Sequence, residues 1–66
     1  MPYINLQVTK GVNREQKAQI VKQFTETLVI VLGKKPEHIH IVIQEIEEEN
    51  WGFEGVLTDD YRKREK

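Results

Sequence analysis

The sequence predicts a small α/β (α+β) protein, built as one βαβ unit followed by a C-terminal β-hairpin. Two segments with a two-residue hydrophobic period, 3–8 and 39–46, flank a segment with a helical period at 14–32. A strand, a long helix and a second strand in this order form a right-handed βαβ unit with parallel strands. Aromatic residues set between glycines then mark the hairpin. With 66 residues, the chain is predicted to be a single domain, 1–66.

The first strand is predicted where Ile4, Leu6 and Val8 alternate with polar residues. This alternation is typical of a strand with one buried face. Gly11 then permits a turn conformation that other residues avoid. Asn13 is the predicted N-cap of the helix, and Gln16 completes a capping box with it.

The helix is predicted from Arg14 to about Leu32, with Gly33 ending it. Lys17 lies on its apolar face, and we expect the lysine stem to cover the core while the ammonium stays in water. The apolar side chains occupy one arc of about 120°; they are Ile20, Val21, Phe24, Leu28, Val31 and Leu32.

The second strand places three isoleucines on one face and is followed by an acidic run, 47–50, which we expect to be a solvated loop. The hairpin is predicted between Trp51 and Thr58. The core of so small a domain cannot bury the side chains of both Trp51 and Phe53. We therefore expect these two residues at a subunit interface. The charged tail, about 60–66, is expected to fray, with the exception of Tyr61.

Composition narrows the classes of function. The chain has no cysteine and only two histidines, so neither a metal nor another cofactor is predicted. A net charge of −1 provides no basic face for nucleic acid, and no apolar run approaches the ~20 residues of a membrane span. A cytoplasmic protein is therefore expected. Because a domain this small buries only about 60% of its surface, a homo-oligomer is predicted.

From the residues alone, Pro2 is either a catalytic residue or simply the residue that follows the start codon. It follows an initiator methionine, and we expect Met1 to be removed. A proline at the chain terminus has a free secondary amine, whereas an internal proline has no basic nitrogen. An α-amino group titrates at about 7.7–8.0, which suits a general base near neutral pH.

The chain resembles the 4-oxalocrotonate tautomerase family over nearly its whole length. The resemblance is carried, without a gap, by Met1-Pro2, the alternating first strand, the Gly11 turn, Glu15-Gln16-Lys17, Glu45, Trp51-Gly52 and Gly55. It implies that two subunits form a four-stranded sheet with two helices, and that three such dimers form a hexamer. It also implies an isomerase that interconverts enol and keto forms of a small 2-oxo acid, with Pro2 as the base.

The resemblance further suggests the substrate-binding residues. Trp51 stands where the best-known members have a phenylalanine that lines the pocket. Val12 and His40 stand where they have arginines, so Val12 becomes a pocket wall. His40 could donate a hydrogen bond to the substrate oxygen or partly replace an arginine; alternatively, it is a polar strand residue at a subunit contact. Lys10 and Arg14 flank Val12. They either bind a substrate carboxylate from these neighbouring positions or are ordinary surface charges.

Two other functions stay open from the sequence. One is hydration or dehalogenation of an unsaturated acid, in which a protonated proline is the acid and a carboxylate among Glu47–Glu49 activates water. The other is a non-catalytic oligomeric protein that keeps the scaffold after losing both arginine positions. Retention of Met1 would favour the second, because the nitrogen of Pro2 would then be an amide.

Overall fold

A computed structural model describes residues 1–64 and shows the predicted βαβ unit. Strand β1 is Tyr3–Thr9, helix α1 is Arg14–Leu32 and strand β2 is His40–Ile46. The strands pair in parallel, from Tyr3 beside His40 to Thr9 beside Ile46. A short 3₁₀ turn, Pro36–His38, leads from α1 into β2. The predicted order of elements is confirmed.

The ends of α1 follow from its local sequence. The Asn13 side chain accepts a hydrogen bond from the Gln16 N–H at 2.8 Å, and the Gln16 side chain accepts from the Asn13 N–H at 3.0 Å. Gly33 adopts the left-handed conformation at φ 66°, and its N–H donates to the Val29 carbonyl. The predicted capping box and the predicted stop are both confirmed.

The C-terminal part contains the hairpin and a second helix. After a 3₁₀ turn at Glu48–Asn50, strands β3 (Gly52–Phe53) and β4 (Val56–Leu57) pair antiparallel, as predicted. Helix α2 then covers Thr58–Arg64. The expectation of a frayed tail from about residue 60 is thus corrected for 60–64, and its last two residues lie outside the described part of the chain.

Contacts with the hairpin explain why α2 is ordered. Thr58 is buried, and both its hydroxyl and its backbone N–H donate to the Trp51 carbonyl at 2.7 Å. The ring centroids of Tyr61 and Phe53 lie 4.6 Å apart and the rings are tilted, which is a favourable distance for contact between two aromatic rings. These contacts join α2 to the hairpin along one side.

The described part of one chain, taken by itself, encloses no hydrophobic core. Within 1–64, no hydrophobic side chain is fully buried. Ile20, Phe24 and Leu28 of the predicted apolar arc are half-buried, whereas Val31 and Leu32 are 70% and 56% exposed. The radius of gyration is 15.5 Å, against about 11 Å for a compact chain of this length. So open a chain agrees with the expectation of a homo-oligomer, which stays a prediction.

No helix among the described residues is both long enough and apolar enough to cross a membrane. The cytoplasmic location stays a prediction.

Candidate active site

The parallel pairing of β1 and β2 places Pro2 and His40 together. The His40 N–H donates to the Pro2 carbonyl at 3.1 Å, so the backbone of Pro2 is fixed against the start of β2. Pro2 is half-buried, while His40 is exposed and is the cross-strand neighbour of Tyr3. Met1 is 86% exposed and contributes little to this arrangement. Its removal would leave the Pro2 nitrogen as a free secondary amine at the head of β1.

The other predicted site residues lie at the opposite end of the sheet. Lys10 follows β1, and its N–H donates to the Ile46 carbonyl at 3.1 Å, where β2 ends. Val12 and Arg14 come directly afterwards, and Trp51 lies near Thr9 at the same end. The eight residue-to-residue steps from Pro2 to Lys10 span about 25 Å of extended chain. One chain therefore holds two separate halves of the candidate site.

An ion pair fixes the turn that carries Val12. The Glu45 carboxylate pairs with the Lys17 ammonium and accepts a hydrogen bond from the Gly11 N–H at 3.4 Å. These contacts hold the pKa of Glu45 below its ordinary value of 4.5, the Lys17 hydrogen bond being the larger cause and the Gly11 N–H the next. The expectation that the Lys17 ammonium lies in water is therefore corrected: it ties α1 to the end of β2.

Lys10 is already engaged by a carboxylate. Its ammonium lies 2.7 Å from Glu47, and the hydrogen bond from this carboxylate raises the pKa of Lys10 above 10.5. A substrate carboxylate would have to compete with Glu47 for this ammonium. Arg14 lies exposed at the start of α1, beside a shallow cavity lined also by Lys17 and Ala18. Val12 is half-buried, as a pocket wall requires.

Trp51 borders a cleft between the hairpin and α2 of about 370 Å³, which we name the aromatic cleft. Its lining residues are Thr9, Trp51, Phe53, Thr58, Tyr61 and Arg62. The sequence predicted Trp51 as a pocket residue. It missed Arg62, whose segment was expected to fray, and it gave Tyr61 no place in the site. The signal that could have revealed them is Thr58-Asp59-Asp60, a pattern typical of the first turn of a helix.

The acidic run before Trp51 is not simply solvated. Glu48 lies 2.8 Å from the Arg62 guanidinium Nε, and Glu47 is bound to Lys10. Both pairs connect the loop to other segments, so they help to fix the position of Trp51.

The βαβ fold and the place of Pro2 at the head of β1 agree with the tautomerase class that the sequence pattern indicated. The profile of the family described as "Tautomerase enzyme" matches residues 2–61, nearly the whole chain. The chain therefore belongs to the tautomerase enzyme family, whose members are isomerases.

Individual relatives agree with this assignment. The chain is 40% identical over 65 residues to the probable tautomerase K2 of Dickeya dadantii, covering 97% of each protein. It is 30% identical over 56 residues to the 2-hydroxymuconate tautomerase of Comamonas testosteroni, covering 85% of this chain and 89% of that protein. The crystal structure of DmpI from Helicobacter pylori matches with a TM-score of 0.87 at 29% identity, covering 94% of this chain and 97% of that one. The predicted family, fold and class of enzyme are confirmed.

Proposed function

We propose that this chain is a keto–enol tautomerase of a small 2-oxo acid, and that the Pro2 amine, freed by removal of Met1, is its general base. The observation that carries the proposal is the position of Pro2 in a chain of the tautomerase family. Pro2 is half-buried at the head of β1, and its carbonyl is bound by the His40 N–H. The base is thus attached to the most regular part of the fold.

The chemistry needs a base that is unprotonated near neutral pH and a group that stabilises charge on the substrate oxygen. A terminal amine titrates close to this range, and partial burial lowers the pKa of an ammonium further. In the enol-to-keto direction, Pro2 would take the proton from the enol hydroxyl and deliver it to the carbon at the other end of the double bond; in the reverse direction it would move the proton from that carbon to the oxygen. His40, one strand away, is the proposed hydrogen-bond donor to the oxygen.

The proposed active site combines two chains. Because Pro2 and Trp51 lie at opposite ends of one protomer, a second copy running antiparallel would bring its Trp51 and Val12 to the first copy's Pro2. The exposed apolar residues of α1 would be covered in such an assembly. We propose a homo-oligomer with a dimer as its unit, and a hexamer of three dimers as the complete enzyme.

Substitution of Pro2 tests this function. The mature protein, with loss of Met1 verified by intact mass, should convert an arylpyruvate enol faster than buffer does. Pro2→Ala should lower kcat by about 10²-fold or more, the usual contribution of a general base, with little change in KM. Pro36→Ala, the matched change at the chain's other proline, should retain activity. No rate above buffer in the mature protein, or an unchanged rate in Pro2→Ala, would refute the proposal.

Hydration or dehalogenation needs a carboxylate that is free to activate water. Glu47 and Glu48 are each held in an ion pair, so this alternative would have to use the exposed Glu49 of the same run. Retention of Met1 would favour the non-catalytic alternative, because the nitrogen of Pro2 would then be an amide, and the intact mass shows whether Met1 is retained.

A further inference from the structure

The aromatic cleft combines an aromatic lining with one guanidinium. The hairpin contributes Trp51 and Phe53, and α2 contributes Tyr61 and Arg62. Small-molecule sites are concave, mainly apolar or aromatic, and carry a few polar groups that orient the ligand. At about 370 Å³ the cleft lies within the usual size range of such sites. Its composition fits a ligand with a flat apolar part and a negative charge.

Arg62 is placed to bind that charge. Its side chain is 64% exposed, and the ion pair with Glu48 runs through Nε at 2.8 Å. A guanidinium carries further N–H donors on its two terminal nitrogens, which suit the two oxygens of a carboxylate. The lysines at this end of the sheet are engaged elsewhere, Lys10 by Glu47 and Lys17 by Glu45.

We propose that the aromatic cleft binds an aromatic carboxylate, with Arg62 holding the carboxylate and the three aromatic side chains contacting the ring. We take this ligand to be the substrate, an aryl-substituted 2-oxo acid, and this step alone rests on the proposed function. Arg62 is then a specificity-determining residue, which selects acids over their uncharged analogues. Trp51, which belongs to both the cleft and the proposed active site, connects the two.

The ion pair with Glu48 makes the proposal sharply testable. A ligand carboxylate has to share the guanidinium with Glu48 or displace it. Removing the charge of Glu48 should therefore tighten ligand binding, whereas removing that of Arg62 should weaken it. If the ion pair served only to hold α2 in place, removing either charge would change the affinity for the ligand in the same direction.

Binding can be followed directly, because Trp51 is the only tryptophan of the chain. Phenylacetate should change the Trp51 fluorescence saturably, and the uncharged phenylacetamide should bind more weakly. Arg62→Gln should raise the Kd for phenylacetate about tenfold, as expected for one lost hydrogen bond to a charged group, and leave that for phenylacetamide unchanged. Glu48→Gln should lower the Kd for phenylacetate. Lys63→Gln, the same loss of charge on the next residue, should match the wild type.

Arg62→Lys guards against loss of fold, because it keeps the charge without the planar fork and should give an intermediate Kd. Equal affinity for the two probes would overturn the proposal. So would a common direction of change in Arg62→Gln and Glu48→Gln, or a fluorescence change that does not saturate.

Turnover separates this inference from the proposed function. With an arylpyruvate enol, Arg62→Gln should raise KM and leave kcat nearly unchanged, and Pro2→Ala should bind phenylacetate as the wild type does. Saturable binding without turnover would support the cleft and refute the tautomerase. Turnover without binding in the cleft would support the tautomerase and refute the proposed role of the cleft.

Discussion

Glu45 is the residue that fixes the carboxyl end of the sheet. It stands near the end of β2, and its carboxylate contacts Lys17 from α1 and the Gly11 N–H from the preceding turn. Three segments therefore meet at one side chain. Its lowered pKa shows that these contacts favour the ionised form in the folded protein.

Acid should weaken the fold through Glu45. A group whose pKa is lower when folded stabilises the protein above its unfolded pKa, and the contribution is lost as pH falls through the folded value. We therefore expect the free energy of unfolding to decline below about pH 4.5, and Glu45→Gln to show a flatter decline. Urea unfolding at fixed protein concentration between pH 7 and 3 measures both. Glu26→Gln, on the exposed side of α1, should follow the wild type; equal slopes for all three proteins would contradict the role of Glu45.

His40 bears on the choice of substrate. If it stands in for an arginine, as the family resemblance implies, His40→Arg should improve kcat/KM for a dicarboxylate 2-hydroxydienoate about tenfold, because a guanidinium offers a fixed charge and a bidentate fork. The rate with an arylpyruvate enol should change less. His38→Arg adds the same charge two residues earlier, in the 3₁₀ turn, and serves as the control. An equal gain from both variants would show a general effect of charge.

At the scale of elements, the termination of α1 depends on one left-handed residue. Gly33 has φ 66°, which a residue with a β-carbon adopts at a cost of about 1–2 kcal/mol. Gly33→Ala should lower the free energy of unfolding by about 1 kcal/mol. Gly33→Asn should cost less, since asparagine tolerates this conformation better than alanine. Denaturant unfolding compares the two, and equal losses would mean that the backbone angle is not the cause.

The elements that the sequence predicts well are those determined by near neighbours. The hydrophobic period of β1 and α1, the Asn13–Gln16 capping box and the Gly33 stop all lie within a few residues of the feature they control. Helix α2 has a helix-start pattern at Thr58-Asp59-Asp60, but the contact of Tyr61 with Phe53, which holds the helix on the hairpin, cannot be seen in the sequence of the tail.

The ion pairs were missed for the same reason. Lys17 and Glu45 are far apart in sequence and meet only because the parallel register brings the end of β2 beside the start of α1. Lys17 lies on the apolar face of α1, which the sequence does show, but its partner depends on the tertiary arrangement.

For the whole molecule, the sequence names candidate site residues but not how they are arranged in space. Pro2, His40 and Trp51 were identified from the sequence and its family resemblance, and their catalytic and binding roles stay predictions. The structure adds that Pro2 and Trp51 lie at opposite ends of the protomer. No periodicity within one chain could show this, because the distance follows from the parallel register.

A site shared between chains predicts complementation. Pro2→Ala subunits lack the proposed base, and Trp51→Ala subunits lack the proposed pocket wall, so each protein alone should have low activity. When the two are unfolded, mixed in equal amounts and refolded together, some sites combine an intact Pro2 with an intact Trp51 from the other chain. Random pairing in a symmetric assembly gives about one quarter of the wild-type activity.

The controls for this experiment decide between a shared site and a site within one chain. Refolding each variant separately and mixing afterwards should give no gain while subunits do not exchange, and co-refolding Pro2→Ala with Pro2→Ala should give none under any condition. If the site lay within one chain, co-refolding the two different variants would not restore activity, because every chain would still carry one defect. A shared site therefore requires that activity recovers in the co-refolded mixture and in none of the controls. We expect this recovery because β1 separates Pro2 from the turn beyond Lys10 by ~25 Å in one chain.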